Sequence, residues 1–197
     1  MKLDMVHDIQ SVYRKVLNAM SRPGLIENLS EEVKKSDINI SCYNSTFLIM
    51  LMLLDREVSF NIVSENSNQI SSLISQMTYS KIKPVEEADY IFVLEDSCDK
   101  CLERVIEVSK IGDLIDPNKS ATIIAETEGL NNKENCQLLF KGPGIKEVCE
   151  INILGKTQWI EKRREKNEEF PLGIDLIWVD KNDNVLCIPR TTHITKK

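Results

Sequence analysis

The chain has 197 residues, of which 42% are hydrophobic and 28% charged, and its 25 basic against 31 acidic side chains give a formal charge of −6. A chain of this length buries roughly 70% of the surface its unfolded form exposes, so it can fold as one domain without a disulfide or a structural metal. Net acidity with no Lys/Arg block lacks the electrostatic footprint that phosphate backbones and anionic lipid select, which excludes nucleic acid and membrane as expected partners.

In chain order, Val6, Ile9, Tyr13, Val16, Leu17 and Met20 recur at spacings of three and four, which predicts an amphipathic helix. Ser21-Arg22-Pro23-Gly24 stops it. Asn44 or Ser45 can cap a second helix through Leu54. Its apolar run, Phe47 to Leu54, is eight residues long, too short to span a bilayer, and being hydrophobic on every side it is expected to be the most buried helix. Val58, Phe60 and Ile62 alternate as a half-exposed strand does, Ile70, Leu73, Ile74 and Met77 return to helical spacing, and Ile91 to Leu94 reads as an interior strand. Ser97 is placed to cap the next helix, which Asp116-Pro117-Asn118 ends.

Three strand candidates follow, Thr122 to Ala125, Cys136 to Phe140 and Val148 to Ile153, the last two joined by the turn Lys141-Gly142-Pro143-Gly144. A helix is predicted from Thr157 to about Arg164. Like-charge pairs at four-residue spacing, Glu161/Glu165, Lys162/Lys166 and Glu165/Glu169, predict fraying or a loop beyond it. Gly173 to Val179 and Val185 to Pro189 flank Asp180-Lys181-Asn182-Asp183-Asn184 and should pair as a β-hairpin. Interleaved strands and helices with no repeat or linker give one α/β domain, residues 1–197, with a mixed sheet.

Asp4, His7, Asp8, Arg14 and Lys15 interrupt the apolar positions of the first twenty residues, so no secretory signal is read there and a cytoplasmic location with reduced thiols is expected. Cys98-Asp99-Lys100-Cys101 follows a strand and opens a helix, where a thiol pKa is lowered, and it raises the alternative of a thiol oxidoreductase. The motif sits late in the fold and lacks a second CxxC or a nearby histidine, so two incidental cysteines are the simpler reading. With only two histidines, His7 and His193, a multi-histidine metal centre is excluded, and no metal site is expected.

His193 closes Ile188-Pro189-Arg190-Thr191-Thr192-His193, a guanidinium, two hydroxyls and an imidazole directly after a hydrophobic strand. Such a group suits bidentate recognition of phosphate or phosphonate oxygens; the competing reading is a polar strand end with Arg190 paired to Asp175 or another acid. The anion reading gains from the charge distribution, because Arg163 onward carries 7 basic and 6 acidic residues, +1 against −7 for everything before it. Lys141-Gly142-Pro143-Gly144 lacks the ending of a P-loop and reads as a plain turn, and Arg22 at a rigid helix exit is either a fixed cation facing a cleft or part of a helix stop. No pattern for dinucleotide binding, serine hydrolysis or zinc proteolysis occurs.

The string Phe170-Pro171-Leu172-Gly173-Ile174-Asp175-Leu176-Ile177, followed by Ile188 to His193, resembles the C-terminal signature of the PhnH family, a subunit of the carbon-phosphorus lyase machinery of phosphonate metabolism. Tyr13 to Gly24 is similar to that family's first helix and its exit, and Gly142 to Ile145 to its glycine-containing turn, whereas Val33 to Leu130 matches only in pattern. The resemblance implies a single layered α/β/α domain similar to a reduced pyridoxal-phosphate-dependent transferase fold that has lost the cofactor lysine, so neither pyridoxal phosphate nor any other cofactor of its own is expected. It also implies a homodimer that joins PhnG, PhnI and PhnJ in a complex. That complex converts ATP, used with Mg, and a phosphonate to a ribose 1-phosphonate 5-triphosphate with release of adenine. On this reading the chain is a non-autonomous subunit of a transferase (ribose 1-methylphosphonate 5-triphosphate synthase) complex. The motifs point to Arg22, Asp175, Arg190, Thr191, Thr192 and His193 as anion ligands or interface residues. A scaffold role is favoured, because no general base and nucleophile are paired in the sequence.

Overall fold

A computed structural model describes residues 3–36, 40–98, 100–132, 136–156 and 158–197. The chain runs α1 (His7–Ser21), β1 (Ile26–Asn28), α2 (Ser30–Val33), α3 (Asn44–Leu53), β2 (Ser59–Val63), α4 (Ser67–Thr78), β3 (Lys81–Ile82), β4 (Tyr90–Val93) and α5 (Cys101–Val108). After a short 3-10 turn come β5 (Thr122–Thr127), β6 (Gly129–Asn131), β7 (Leu138–Lys141), β8 (Cys149–Leu154), α6 (Trp159–Lys166), β9 (Asp175–Asp180), β10 (Asn184–Ile188) and β11 (His193–Lys196).

Seven strands form the main sheet in the order β1-β10-β9-β5-β4-β2-β3, and only β10 runs against the others. Its inner strands read as continuous apolar runs because both faces are covered. The period-two alternation of each strand divides the core cleanly. Phe60, Ile62, Phe92, Ile124, Ile177 and Val179 face the helices α1, α3 and α4, while Ile91, Val93, Ile123, Leu176 and Trp178 face α5, α6 and a second sheet. The architecture is therefore α/β in three layers, with a mixed main sheet.

The second sheet is an addition to the sequence reading. The strands expected at 136–140 and 148–153 form an antiparallel sheet of their own, β11-β7-β8-β6, which lies over the main sheet instead of extending it. The aromatic pair Trp159 and Trp178, with centroids 5.1 Å apart, fills the space between α6 and the main sheet. The segment after Pro189, read as a polar strand end or a ligand loop, supplies the edge strand β11, with His193 opposite Lys141.

Helix α3 begins at Asn44, and its residues Phe47 to Met50 are fully enclosed, as its all-round hydrophobicity requires. Helix α5 starts later than Ser97 could cap it, and the Ser97 hydroxyl instead donates to the Leu94 carbonyl at 2.6 Å. The start expected for α6, Thr157, lies outside the described residues. The helix runs on to Lys166 because pairs three residues apart, Arg164–Glu161 at 2.5 Å and Lys162–Glu165 at 3.4 Å, offset the repulsions at four. The β9–β10 hairpin forms as expected, and Asp183 takes φ +63° in its turn.

Candidate functional site

Three of the motifs read from the sequence meet at one end of the small sheet. Gly144 adopts φ +83°, and a Cβ there would lie 2.5 Å from the Ser21 carbonyl oxygen and 2.9 Å from Pro23. A Cβ on Gly142, at φ +147°, would lie 2.8 Å from the Thr191 carbonyl oxygen. The turn Lys141–Gly144 thus has to be glycine-rich because two other segments press on it, the exit of α1 on one side and the loop before β11 on the other. The plain-turn reading holds in backbone form, with packing as the reason for its glycines.

Side chains divide the sequence candidates. Arg22 is exposed and lines a shallow depression with Gly144 to Cys149, and it makes no ion pair to a described residue. Thr191 is half-buried, Thr192 is buried and His193 is exposed.

Arg190 and Asp175 come together at the start of β9. The Arg190 backbone amide donates to Asp175 Oδ1 at 2.7 Å, and its Nη2 donates to Asp175 Oδ2 at 2.6 Å and to Ser120 Oγ at 2.5 Å. Its Nη1 donates to the carbonyls of Pro117 at 2.9 Å and Pro171 at 3.2 Å, and Nε leans on Asp175 Oδ1 at 3.4 Å. A guanidinium has five N–H donors, and all five are committed inside the chain. Arg190 clamps the 117–120 turn, the loop at Pro171 and the end of β10, with no donor left for a ligand.

Another arginine stands beside it in a different condition. Arg163, on the inner face of α6, is 3% exposed and donates through Nη1 to the Thr192 carbonyl at 3.0 Å and through Nη2 to the Pro189 carbonyl at 2.6 Å. Its Nε is buried without a partner, and so is the hydroxyl of Thr192. Burial pushes its pKa down to about 10, against the pull of Asp175, so it is a cation at neutral pH. The carboxylate of Asp175 is already occupied by Arg190, which leaves two guanidinium groups sharing one acid.

Arg163 forms part of the wall of a cavity of about 520 Å³ together with Arg164, Arg190, Thr192, His193 and Ile160, with Glu165 and Glu168 also on its lining. The sequence reading passed over Arg163. The signal was the spacing, since Trp159, Ile160 and Arg163 share one helical face and the first two are apolar.

The Cys98–Cys101 pair differs from its expected form. The two sulfurs are joined in a disulfide, with Cα atoms 5.1 Å apart, where free thiols were expected. The helix begins at Cys101 itself, which brings its side chain back toward residue 98. Elsewhere Cys187 is fully enclosed and its thiol pushed up by burial, and Cys42 is pushed up to about 12 by burial and the nearby Glu126, so neither is a reactive thiolate. Among the described residues no group of three or more His, Cys, Asp or Glu side chains could hold a metal ion.

The model of the family described as bacterial phosphonate metabolism protein (PhnH) matches residues 2–195. The chain belongs to the PhnH family. Relatives extend the same way over nearly the whole length. HtxG of Stutzerimonas stutzeri, which carries a provisional assignment as a C-P lyase subunit protein, is 28% identical over 190 residues, covering 95% of this chain and 86% of its own. The alpha-D-ribose 1-methylphosphonate 5-triphosphate synthase subunit PhnH of Rhizobium meliloti (strain 1021) is 24% identical over 197 residues, covering 98% and 94%. No helix among the described residues is long and apolar enough to cross a membrane.

Proposed function

We propose that this chain is a non-autonomous subunit of a carbon-phosphorus lyase assembly. It would support the ATP-dependent, Mg-requiring formation of a ribose 1-phosphonate 5-triphosphate with release of adenine. The observation that carries the reading is the match to the PhnH family over residues 2–195, joined to relatives whose names place them as subunits of such complexes. The geometry supports the word non-autonomous. The clearest polar constellation of the C-terminal motif, Arg190 with Asp175 and Ser120, is closed on itself, and its carboxylate accepts from an arginine instead of activating a nucleophile. On this reading the chain works in the cytoplasm as a homodimer with PhnG, PhnI and PhnJ as partners. Its layered fold would be a reduced form of the pyridoxal-phosphate-dependent transferase fold that uses no pyridoxal phosphate. The test is co-expression with those partners. Copurification, and adenine release from ATP plus methylphosphonate that depends on this chain, are expected. Full adenine release without it would overturn the reading.

A further inference from the structure

We propose that the cavity walled by Arg163, Thr192, Arg164 and His193 is a binding site for a tetrahedral phosphorus oxyanion. The anionic character rests on the geometry alone, and the choice of phosphorus rests on the functional reading above. Five N–H donors belong to Arg163 and two are used, both on backbone carbonyls. Neutral carbonyl oxygens satisfy hydrogen bonds but do not compensate charge, and a buried guanidinium without a counterion is destabilising until one arrives. Asp175 serves only in part as that counterion, because its single charge is divided between Arg163 and Arg190, which holds both its oxygens. The hydroxyl of Thr192, buried with no partner on a residue that also lines the cavity, is a second group left without its hydrogen bond. A ligand with several anionic oxygens, bound in the cavity that both residues line, supplies the negative charge that is missing.

The mouth of the cavity fits the same chemistry. Arg164 is largely exposed there and held at Glu161, a partner it can leave at little cost, since exposed pairs contribute little. His193, at the start of β11, also lines the cavity. Of the two acids on the lining, Glu165 pairs with Lys162 at 3.4 Å, and both Glu165 and Glu168 also line a neighbouring depression with Lys162, Lys166, Glu107 and Glu169. Three arginines thus line this concave space against two glutamates, with Arg190 already neutralised by Asp175.

Calorimetric titration of the full chain at low salt with methylphosphonate, ATP and inorganic phosphate tests the proposal. Binding is expected for at least one of them. Preference for methylphosphonate identifies the phosphonate as the occupant and preference for ATP its triphosphate tail. Arg163→Met should abolish binding, and because that variant also loses two hydrogen bonds it is paired with Thr192→Val and Arg164→Ala, which leave those bonds in place. Each should weaken binding by about fivefold to tenfold, the loss of one hydrogen bond to a charged group. If Thr192 were only a packing residue, its valine variant would bind as the wild type does. No binding of any of the three anions, or binding unchanged in both paired variants, overturns the site. Neither result touches subunit assembly, which copurification measures separately.

Discussion

Two arginines, one on α6 and one after β10, lie close enough to share the field of Asp175, yet they are built for opposite ends. Arg190 has every donor matched and both Asp175 oxygens in hand, while Arg163 is more deeply buried and holds only two carbonyls. Saturation marks a structural device, whereas a buried polar group left unmatched costs free energy that a bound ligand can restore. The residue singled out by sequence motif is the saturated one. The unsaturated one sits in a stretch of charged helix where nothing in the one-dimensional pattern draws the eye.

The contrast can be broken by substitution. Arg190→Ala should be the most damaging change, since it strips Asp175 of its partner and frees three segments at once. A loss of about 3 kcal/mol in urea unfolding is expected. Asp175→Asn should cost somewhat less, about 2 kcal/mol, and the Arg190→Ala/Asp175→Asn double variant should fall well short of the sum, because the two residues act as one unit. Arg163→Met should cost only about 1 kcal/mol, as the lost carbonyl bonds are partly offset by removal of an uncompensated charge. Equal losses at 163 and 190 would erase the distinction drawn between them.

A smaller effect comes from a third charged node, which calibrates the other two. Burial pushes the Asp89 carboxyl up, but the Lys110 ammonium at 2.5 Å and the Ser59 hydroxyl and amide outweigh it and hold the carboxyl below its ordinary value. An acid depressed in the folded state adds stability above its unfolded pKa and loses it as pH falls through the folded one. Acid unfolding below about pH 4 should therefore be shallower in Asp89→Asn, by no more than about 1 kcal/mol, as the pair is partly exposed.

Much of the architecture was legible because periodicity reports burial. The helix spacing of α1, the apolar run of α3 and the hairpin of β9 and β10 all follow from local pattern, and the structure places them accordingly. The short strands β1, β3 and β6 were not legible. Each has two or three residues and exists only because a longer neighbour offers its edge, as β10 does to Ile26–Asn28. The same limit governs the site. The sequence raised Asp175 as a partner for Arg190, but it could not count donors, and donor counting separates Arg190 from Arg163. The second sheet escaped for a related reason, since nothing in an alternating pattern says which sheet a strand will join.

The pairing of β1 with β10 has a consequence for how the molecule is made. Asn28 lies opposite Asn184, so strands 156 positions apart complete one edge of the main sheet, and α1 packs on β10 as well. A ribosome adding about 5 to 20 residues per second leaves the first helix and strand without their partner for roughly 8 to 30 s. During that interval the apolar stripe of α1 has β1 and the helices α2 and α3 against it but not β10, and that edge of the sheet cannot close. Whatever guards the nascent chain has to do so until β10 has been made.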